Sequence, residues 1–298
     1  TSSLPLAPSE GSPPMATPFP FQDYLAAKAE LERALKGGPF YGLVAARSGM
    51  GKTSLGRDVS STLDRHRYQT LYWTSSRVSP LAVIRYFAQM LHVTAKRSVP
   101  ETAKVVVDAL RARPSHLLAW IDEADRVPIE TLTEFRTLAE FEQDAPQAFS
   151  VVFCGPPELR TIFDNPALYP LKRRLSVKLN LEGLRRDELD AFLVHRFGTA
   201  DAKRVGAVHR DEIFERTLAT PALLDKVVRH ALRVAGRGFI ADDHLREAFD
   251  KIAPEIIEFE EFGDKDAKLL IVAHGIVAAA ARSAIKTLKE KGINVRLF

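Results

Sequence analysis

The chain has 298 residues, 46% apolar and 27% charged, with a formal net charge of +4 and a pI near 9.1. These are ordinary globular values, enough for a sizeable core in one large or two ordinary domains, and the mild basicity permits nucleic-acid contact without requiring it. A single cysteine, Cys154, excludes a disulfide framework within the chain and favours a reducing, cytoplasmic setting. No apolar stretch reaches membrane-spanning length, and the N-terminus lacks the basic start and apolar core of a signal peptide.

Residues 1–20, rich in Pro and Ser, are expected to be a disordered or extended lead-in, with Met15 a candidate natural start. A helix is expected over 21–36, closed by Gly37-Gly38-Pro39. An apolar strand over 40–45 then runs into Ala46-Arg47-Ser48-Gly49-Met50-Gly51-Lys52-Thr53-Ser54, and a helix to about Asp64 follows, with Leu55, Val59 and Leu63 spaced by four. Strand, glycine-rich turn and helix make a phosphate-binding loop for a nucleoside triphosphate. Gly49 and Gly51 let the backbone approach phosphates, and the helix N-terminus offers partial positive charge. Lys52 is expected on the β- and γ-phosphates, and the Thr53 hydroxyl on Mg²⁺. Ala46 stands where such loops usually begin with glycine; a left-handed backbone there would cost on the order of 1 kcal/mol. The alternative reading is a tight strand-to-helix turn with an exposed lysine.

The alternation continues. Strands are expected over 70–74, 116–121, 149–154 and 176–181, with helices opened by Ser79-Pro80, over 101–112 and 129–142, and briefly after Pro156-Pro157. Apolar strands separated by helices mean a parallel sheet covered on both faces. The strand Leu117-Leu118-Ala119-Trp120-Ile121 delivers Asp122 and Glu123 to its C-terminal edge, where ligands sit in such sheets. Asp122 suits Mg²⁺, directly or through water; Glu123 suits the activation of an attacking water. After about residue 183 only helices are expected, over 186–197, 211–219, 221–236 and 242–252. A tail over 254–298 then reads as strand (267–273), helix (276–289, after His274-Gly275) and strand (293–298, after Gly292).

Three motifs together, the Arg47-to-Thr53 loop, Asp122-Glu123 and Phe153-Cys154-Gly155-Pro156-Pro157-Glu158-Leu159-Arg160, resemble AAA+ ATPases. The subgroup the chain resembles is that of transposition ATPases of the TniB and MuB type and secretion ATPases of the ExeA type, over about residues 19–250. The resemblance implies an α/β fold: a five-stranded parallel P-loop sheet with a small all-α lid, followed by the appended β-α-β fragment. Its domains are 21–183 for nucleotide binding and 184–253 for the lid. It implies ATP and Mg²⁺ as ligands, with Ser48, Gly49, Met50, Gly51, Lys52, Thr53 and Ser54 on the nucleotide, Thr53 and Asp122 on the metal, and Glu123 catalytic. Arg174, with Arg173 next, matches an arginine finger reaching a neighbour's ATP. Cys154-Gly155 occupies a sensor position that the family usually makes polar, and Ala222 replaces the family's lid arginine, with Lys226 or Arg229 as substitutes further along. Implied partners are further copies in a ring or helical oligomer, duplex DNA and a transposase or other protein, with no membrane. An ExeA-like assembly factor for secretion, and a nucleotide-gated scaffold with little hydrolysis, are the rival readings.

Phe19, Phe21 and Tyr24 are aromatic candidates for adenine contact, with core packing the blander reading. Lys226, Arg229, Arg233 and Arg237 form a basic face, a DNA candidate or a plain solvated surface. Residues 255–298, through Ala267-to-Gly275, Ala284-Ile285-Lys286 and Gly292-to-Phe298, resemble part of a 2-oxoacid:ferredoxin oxidoreductase α subunit. A fold is implied there, not an activity, and one cysteine excludes a four-cysteine cluster in this chain.

Overall fold

The structure is a computed structural model that describes residues 18–74, 79–141, 147–256, 262–263, 267, 269–271, 281, 284–285, 287–289 and 295–297. Most of the expected lead-in, and His274, Gly275 and Gly292 of the tail, lie outside the described residues.

Helix α1 (Gln22–Gly37) leads into β1 (Tyr41–Ala46), and α2 (Lys52–Thr62) follows the loop. Then come β2 (Tyr68–Trp73), α3 (Pro80–Met90), α4 (Val99–Ala112), β3 (His116–Ile121), α5 (Ile129–Ala139) and β4 (Ser150–Gly155). Two single turns, α6 (Leu159–Ile162) and α7 (Tyr169–Lys172), precede β5 (Leu175–Leu181). Local chemistry sets several of these starts. The Ser79 side chain accepts from the Ala82 N–H with Pro80 in the first turn, and Ser98 and Glu101 form a reciprocal capping box at α4.

The five strands form one parallel sheet in the order β2-β3-β4-β1-β5. Central β1 and β4 are buried at every residue, which is why they read as unbroken apolar runs. Edge strand β5 alternates instead, with Ser176 and Lys178 exposed. Residue parity assigns each strand side chain to a face. Leu118, Trp120, Val152 and Cys154 pack with α1, α2 and the helices beyond β5. Leu117, Ala119, Ile121, Val151 and Phe153 pack with α3, α4 and α5, where Phe87 and Phe135 are fully buried.

The C-terminal helical region comprises α8 (Leu189–Lys203), α9 (Ala207–Arg216), α10 (Pro221–Val234) and α11 (Asp242–Ile256). Several boundaries differ from expectation, those of α8 and α9 for a reason visible in the backbone. Helix α8 runs past Phe197 through a break at Gly198, whose φ of 78° interrupts the helical backbone. Helix α9 starts four residues early, after Gly206, and ends at Arg216 because Leu218 and Ala219 take left-handed backbone, φ 51° and 55°.

In the tail, β6 (Phe262–Gly263), β7 (Leu269–Ile271) and β8 (Val295–Leu297) form a sheet ordered β6-β8-β7. Parallel pairing of β7 with β8 fits the expected strand–helix–strand, and buried Ile285 and Val295 pack with Ala281 and Leu288. Strand β6, antiparallel to β8, was not expected.

Candidate nucleotide-binding site

The loop between β1 and α2 carries its left-handed backbone at Gly49 (φ 80°) and Gly51 (φ 90°). Ala46 is the last residue of β1 and is not in that region, so the strain expected from its side chain does not arise. Gly51 caps α2, whose first N–H groups have no partner within the helix and point toward the loop. Met50 is buried at the loop's centre, while Ser48 and Gly49 are exposed. The Tyr24 ring lies against the loop, 3.7 Å from where a Cβ on Gly51 would sit, and its hydroxyl donates to Asp58 at 3.4 Å. Phe21 and Tyr24 are core residues, 2% and 1% exposed, and Phe19 packs edge-on against Phe192.

The loop and the end of β3 meet directly. Thr53 Oγ1 donates to Asp122 Oδ2 at 2.5 Å, and the other Asp122 oxygen accepts from the Glu123 N–H at 3.0 Å. Lys52 Nζ folds back on its own loop, donating to the Ala46 and Arg47 carbonyls at 2.7 and 3.0 Å. Burial pushes the Lys52 pKa below the usual lysine value. Asp122, the Cys154 thiol, Asp125 and Glu123, in falling order, pull it the other way. The charge balance therefore places three carboxylates around one desolvated ammonium. Cys154 is fully buried on the face toward α2, and its thiol is pushed well above its ordinary value, by burial first and then by Asp122. It is a neutral packing residue.

Glu123 has left-handed backbone (φ 49°), an exposed side chain and an ion pair with Arg126 at 3.1 Å. Asp125, which was not singled out from the sequence, follows it in a single 3₁₀ turn, Ala124–Arg126. Arg173 and Arg174 are elsewhere. Leu175 pairs with Tyr41, so both arginines sit where β1 begins, about 20 Å along the strand from the phosphate loop. Arg174 pairs with Glu140 at 2.5 Å and donates to the Pro170 carbonyl.

The helical region closes against the loop. The Ala222 N–H donates to the Gly49 carbonyl at 3.3 Å, and a Cβ on Gly49 would lie 2.8 Å from that of Ala222. Arg47 donates to the carbonyls of Leu218 (2.7 Å) and Glu182 (3.3 Å). Gly183 (φ 119°) lets the chain cross under Ala219, whose carbonyl oxygen would be 2.7 Å from a Cβ there. The basic face of α10 is partly self-neutralised: Asp225 pairs with both Arg196 and Arg229, and Arg233 contacts His230.

Residues 38–163 match the family model described as AAA domain. This AAA-domain segment holds β1 to β4, the phosphate loop and the Asp122-Glu123 edge. Among curated proteins, General secretion pathway protein A of Aeromonas hydrophila is 24% identical over 184 residues, covering 58% of this chain and 32% of that protein. Ketoisovalerate oxidoreductase subunit VorB of Methanothermobacter thermautotrophicus is 39% identical over 55 residues, 18% of this chain and 16% of that protein. The chain thus spans a third or less of the length of either curated relative.

Solved structures share the fold at low identity. The Aeropyrum pernix ORC2 protein in ADPNP–ADP complexes superposes with a TM-score of 0.58 at 15% identity, over 82% of this chain and 70% of that one. CDC6P from Pyrobaculum aerophilum gives 0.57 at 17%, over 80% and 70%. The Aeropyrum pernix ORC1 protein in complex with DNA gives 0.56 at 19%, over 80% and 68%. A five-stranded parallel sheet followed by a helical region is the fold these structures share with this chain.

Proposed function

We propose that the chain binds and hydrolyses ATP with Mg²⁺, assembles with further copies of itself, and acts on duplex DNA as transposition target-selection regulators do. The observation that carries the nucleotide reading is the 2.5 Å contact of Thr53 with Asp122 beside the half-buried Lys52 ammonium. A hydroxyl and a carboxylate at that spacing are hard oxygen donors of the kind Mg²⁺ takes, and the Gly49 and Gly51 backbone leaves room for phosphates. Bound there, Mg²⁺ would neutralise phosphate charge. Lys52 exchanges its two loop carbonyls for phosphate oxygens, the loop and α2 N–H groups hold the remaining ones, and Glu123 accepts a proton from the attacking water.

On this reading residues 21–183 bind nucleotide, 184–253 form the lid and 254–298 are an appended unit. Oligomerisation is supported by the position of Arg173 and Arg174, a strand length from their own loop, so that a nucleotide they reach would be that of another copy. DNA is supported by analogy with the ORC1 structure in complex with DNA, a protein of the same fold. The test is retention of labelled duplex DNA by the protein with ATP at several salt concentrations. Binding that weakens as salt rises supports the reading; no retention at low salt overturns the DNA part.

A second reading, an ATPase that assists assembly of secretion machinery, is favoured by the similarity to General secretion pathway protein A. It keeps the nucleotide site and predicts no DNA binding. Among the described residues no helix is long and apolar enough to cross a membrane.

A further inference from the structure

Cations from three separate stretches of chain meet at the edge of the sheet opposite the phosphate loop. Strands β2 and β3 run side by side with Tyr68 opposite His116, and the His116 N–H donates to the Arg67 carbonyl at 2.7 Å. That pairing sets the turn before β2, which carries Arg65 and Arg67, beside the turn before β3, which carries Arg113. The Asp64 carbonyl accepts from the N–H groups of both Arg67 and Tyr68, at 3.0 and 2.8 Å, so residues 64–67 form a tight turn. Arg113 donates to Gln69 of β2. The Tyr68 hydroxyl donates to the Leu35 carbonyl at 3.4 Å, which brings Lys36, in the last turn of α1, to the same edge.

The charges there are open to solvent. Lys36, Arg65 and Arg67 are exposed and make no ion pair among the described residues, and the Arg67 guanidinium lies 5.9 Å from the centre of the Tyr68 ring. Arg113 is half-buried, and its partner Gln69 is neutral. Asp64 is the carboxylate that these turns contain, and it accepts from the His66 N–H at 2.9 Å. Glu32 and Asp108 stand a turn back along α1 and α4, where Glu32 accepts from the Thr62 hydroxyl and Asp108 pairs with Lys104. The negative ends of α1 and α4 favour Lys36 and Arg113 where they stand. Arg67 leads into a strand, where no helix end calls for a cation. Among the described residues no large apolar side chain is exposed in these turns. The edge therefore offers charge without the apolar centre that a protein interface carries.

We propose that this edge is the surface that meets duplex DNA, with Arg65, Arg67, Arg113 and Lys36 on the phosphate backbone and no reading of bases. The proposal rests on the reading that the protein acts on DNA. It sets the DNA at the other end of β3 from Asp122, six residues or about 20 Å away from the nucleotide site. The α10 face is the weaker candidate, because Asp225 offsets Arg196 and Arg229 there.

The test measures binding of a fluorescent DNA duplex, with ATP, at several salt concentrations. It compares wild type with a triple variant, Arg65→Gln, Arg67→Gln and Arg113→Gln, with the same three positions changed to Lys, and with Arg233→Gln plus Arg237→Gln on α10. Each lost phosphate contact lowers the slope of log affinity against log salt by about 0.9, so the Gln triple variant should lose about 2.7 of slope and bind at least about tenfold more weakly. The Lys triple variant keeps the slope, because counterion release counts charge and not side-chain shape. The α10 variant keeps it too. Melting temperature and ATP affinity of the two triple variants agree with each other, which separates charge from packing. A wild-type slope in the Gln triple variant, an equal loss in the Lys triple variant, or a loss in the α10 variant alone overturns this surface. So does a Gln triple variant that binds DNA as wild type does but no longer binds polyglutamate, which assigns the edge to an acidic protein. Wild-type protein that binds no duplex at low salt overturns the DNA reading itself and this surface with it.

Discussion

Arg47 donates to the carbonyl of Leu218, 171 residues away in sequence, and thereby ties the opening of the phosphate loop to the turn that starts α10. The same guanidinium reaches Glu182, just before the chain enters the helical region. One side chain thus pins both strands of the connection. Loss of it should loosen the helical region locally while leaving the sheet intact. In Arg47→Ala, amide exchange at Ala222 and Leu184, which donate to Gly49 and Ala219, should quicken by about tenfold, the equivalent of one or two hydrogen bonds. Exchange in β1 and β4 should not change, and equal quickening there would show a global effect instead.

Lys52→Ala and Glu123→Gln should separate binding from chemistry. Lys52 is a half-buried cation at the loop, and its loss should weaken ATP affinity by about a hundredfold or more. The exposed Glu123 side chain pairs with exposed Arg126, so Glu123→Gln should keep affinity within a fewfold while turnover falls about a hundredfold. Titration calorimetry and phosphate release on the two variants check both halves. Undiminished turnover in Glu123→Gln would remove Glu123 from the chemistry.

Gly56 shows two opposing effects of known size. Alanine within a helix gains about 1 kcal/mol over glycine. Here its Cβ would sit 2.5 Å from Trp120 Cε2, and Trp120 is fully buried under α2. Overpacking of that kind costs about 1–3 kcal/mol, and with no free space for the indole the upper part applies. Gly56→Ala should therefore destabilise by about 1–2 kcal/mol net. Urea unfolding followed by tryptophan fluorescence measures it, and a stabilised variant would mean that α2 shifts freely.

His116 should contribute a pH dependence. Its imidazole bonds Ser150 Oγ at 2.9 Å, and burial lowers its pKa below the ordinary histidine value. The unfolded chain therefore binds the proton more readily than the folded one. Its contribution is present above about pH 6.5 and is lost as pH falls from there to the folded-state pKa. Melting temperatures of wild type and His116→Gln should differ most near pH 7.5 and converge toward pH 5.5. A gap that widens on acidification would reverse the sign of the argument.

What the sequence disclosed depended on how far apart the partners lie. Strands β1, β3 and β4 were plain because burial on both faces demands unbroken apolar residues, and Asp122 could be placed from the strand end alone. Ser79-Pro80 marked α3 through capping chemistry that needs only neighbours. The start of α9 was hidden because Val208 is exposed and breaks the apolar spacing. Ala46 misled for another reason: the loop's left-handed residues are Gly49 and Gly51, and a missing glycine at its first position carries no penalty. Asp125 and the Arg47–Leu218 contact were invisible, since each depends on chain segments that only the folded topology brings together.

The seating of Ala222 on Gly49 has a mechanical consequence. Helix α10 begins at the phosphate loop and runs 14 residues outward, about 21 Å. With its fulcrum on the loop, a tilt of about 10° carries the far end about 4 Å, toward or away from the exposed Phe239 turn. Any shift of the glycine backbone at the loop would thus reach the far end of α10 multiplied by the length of the helix.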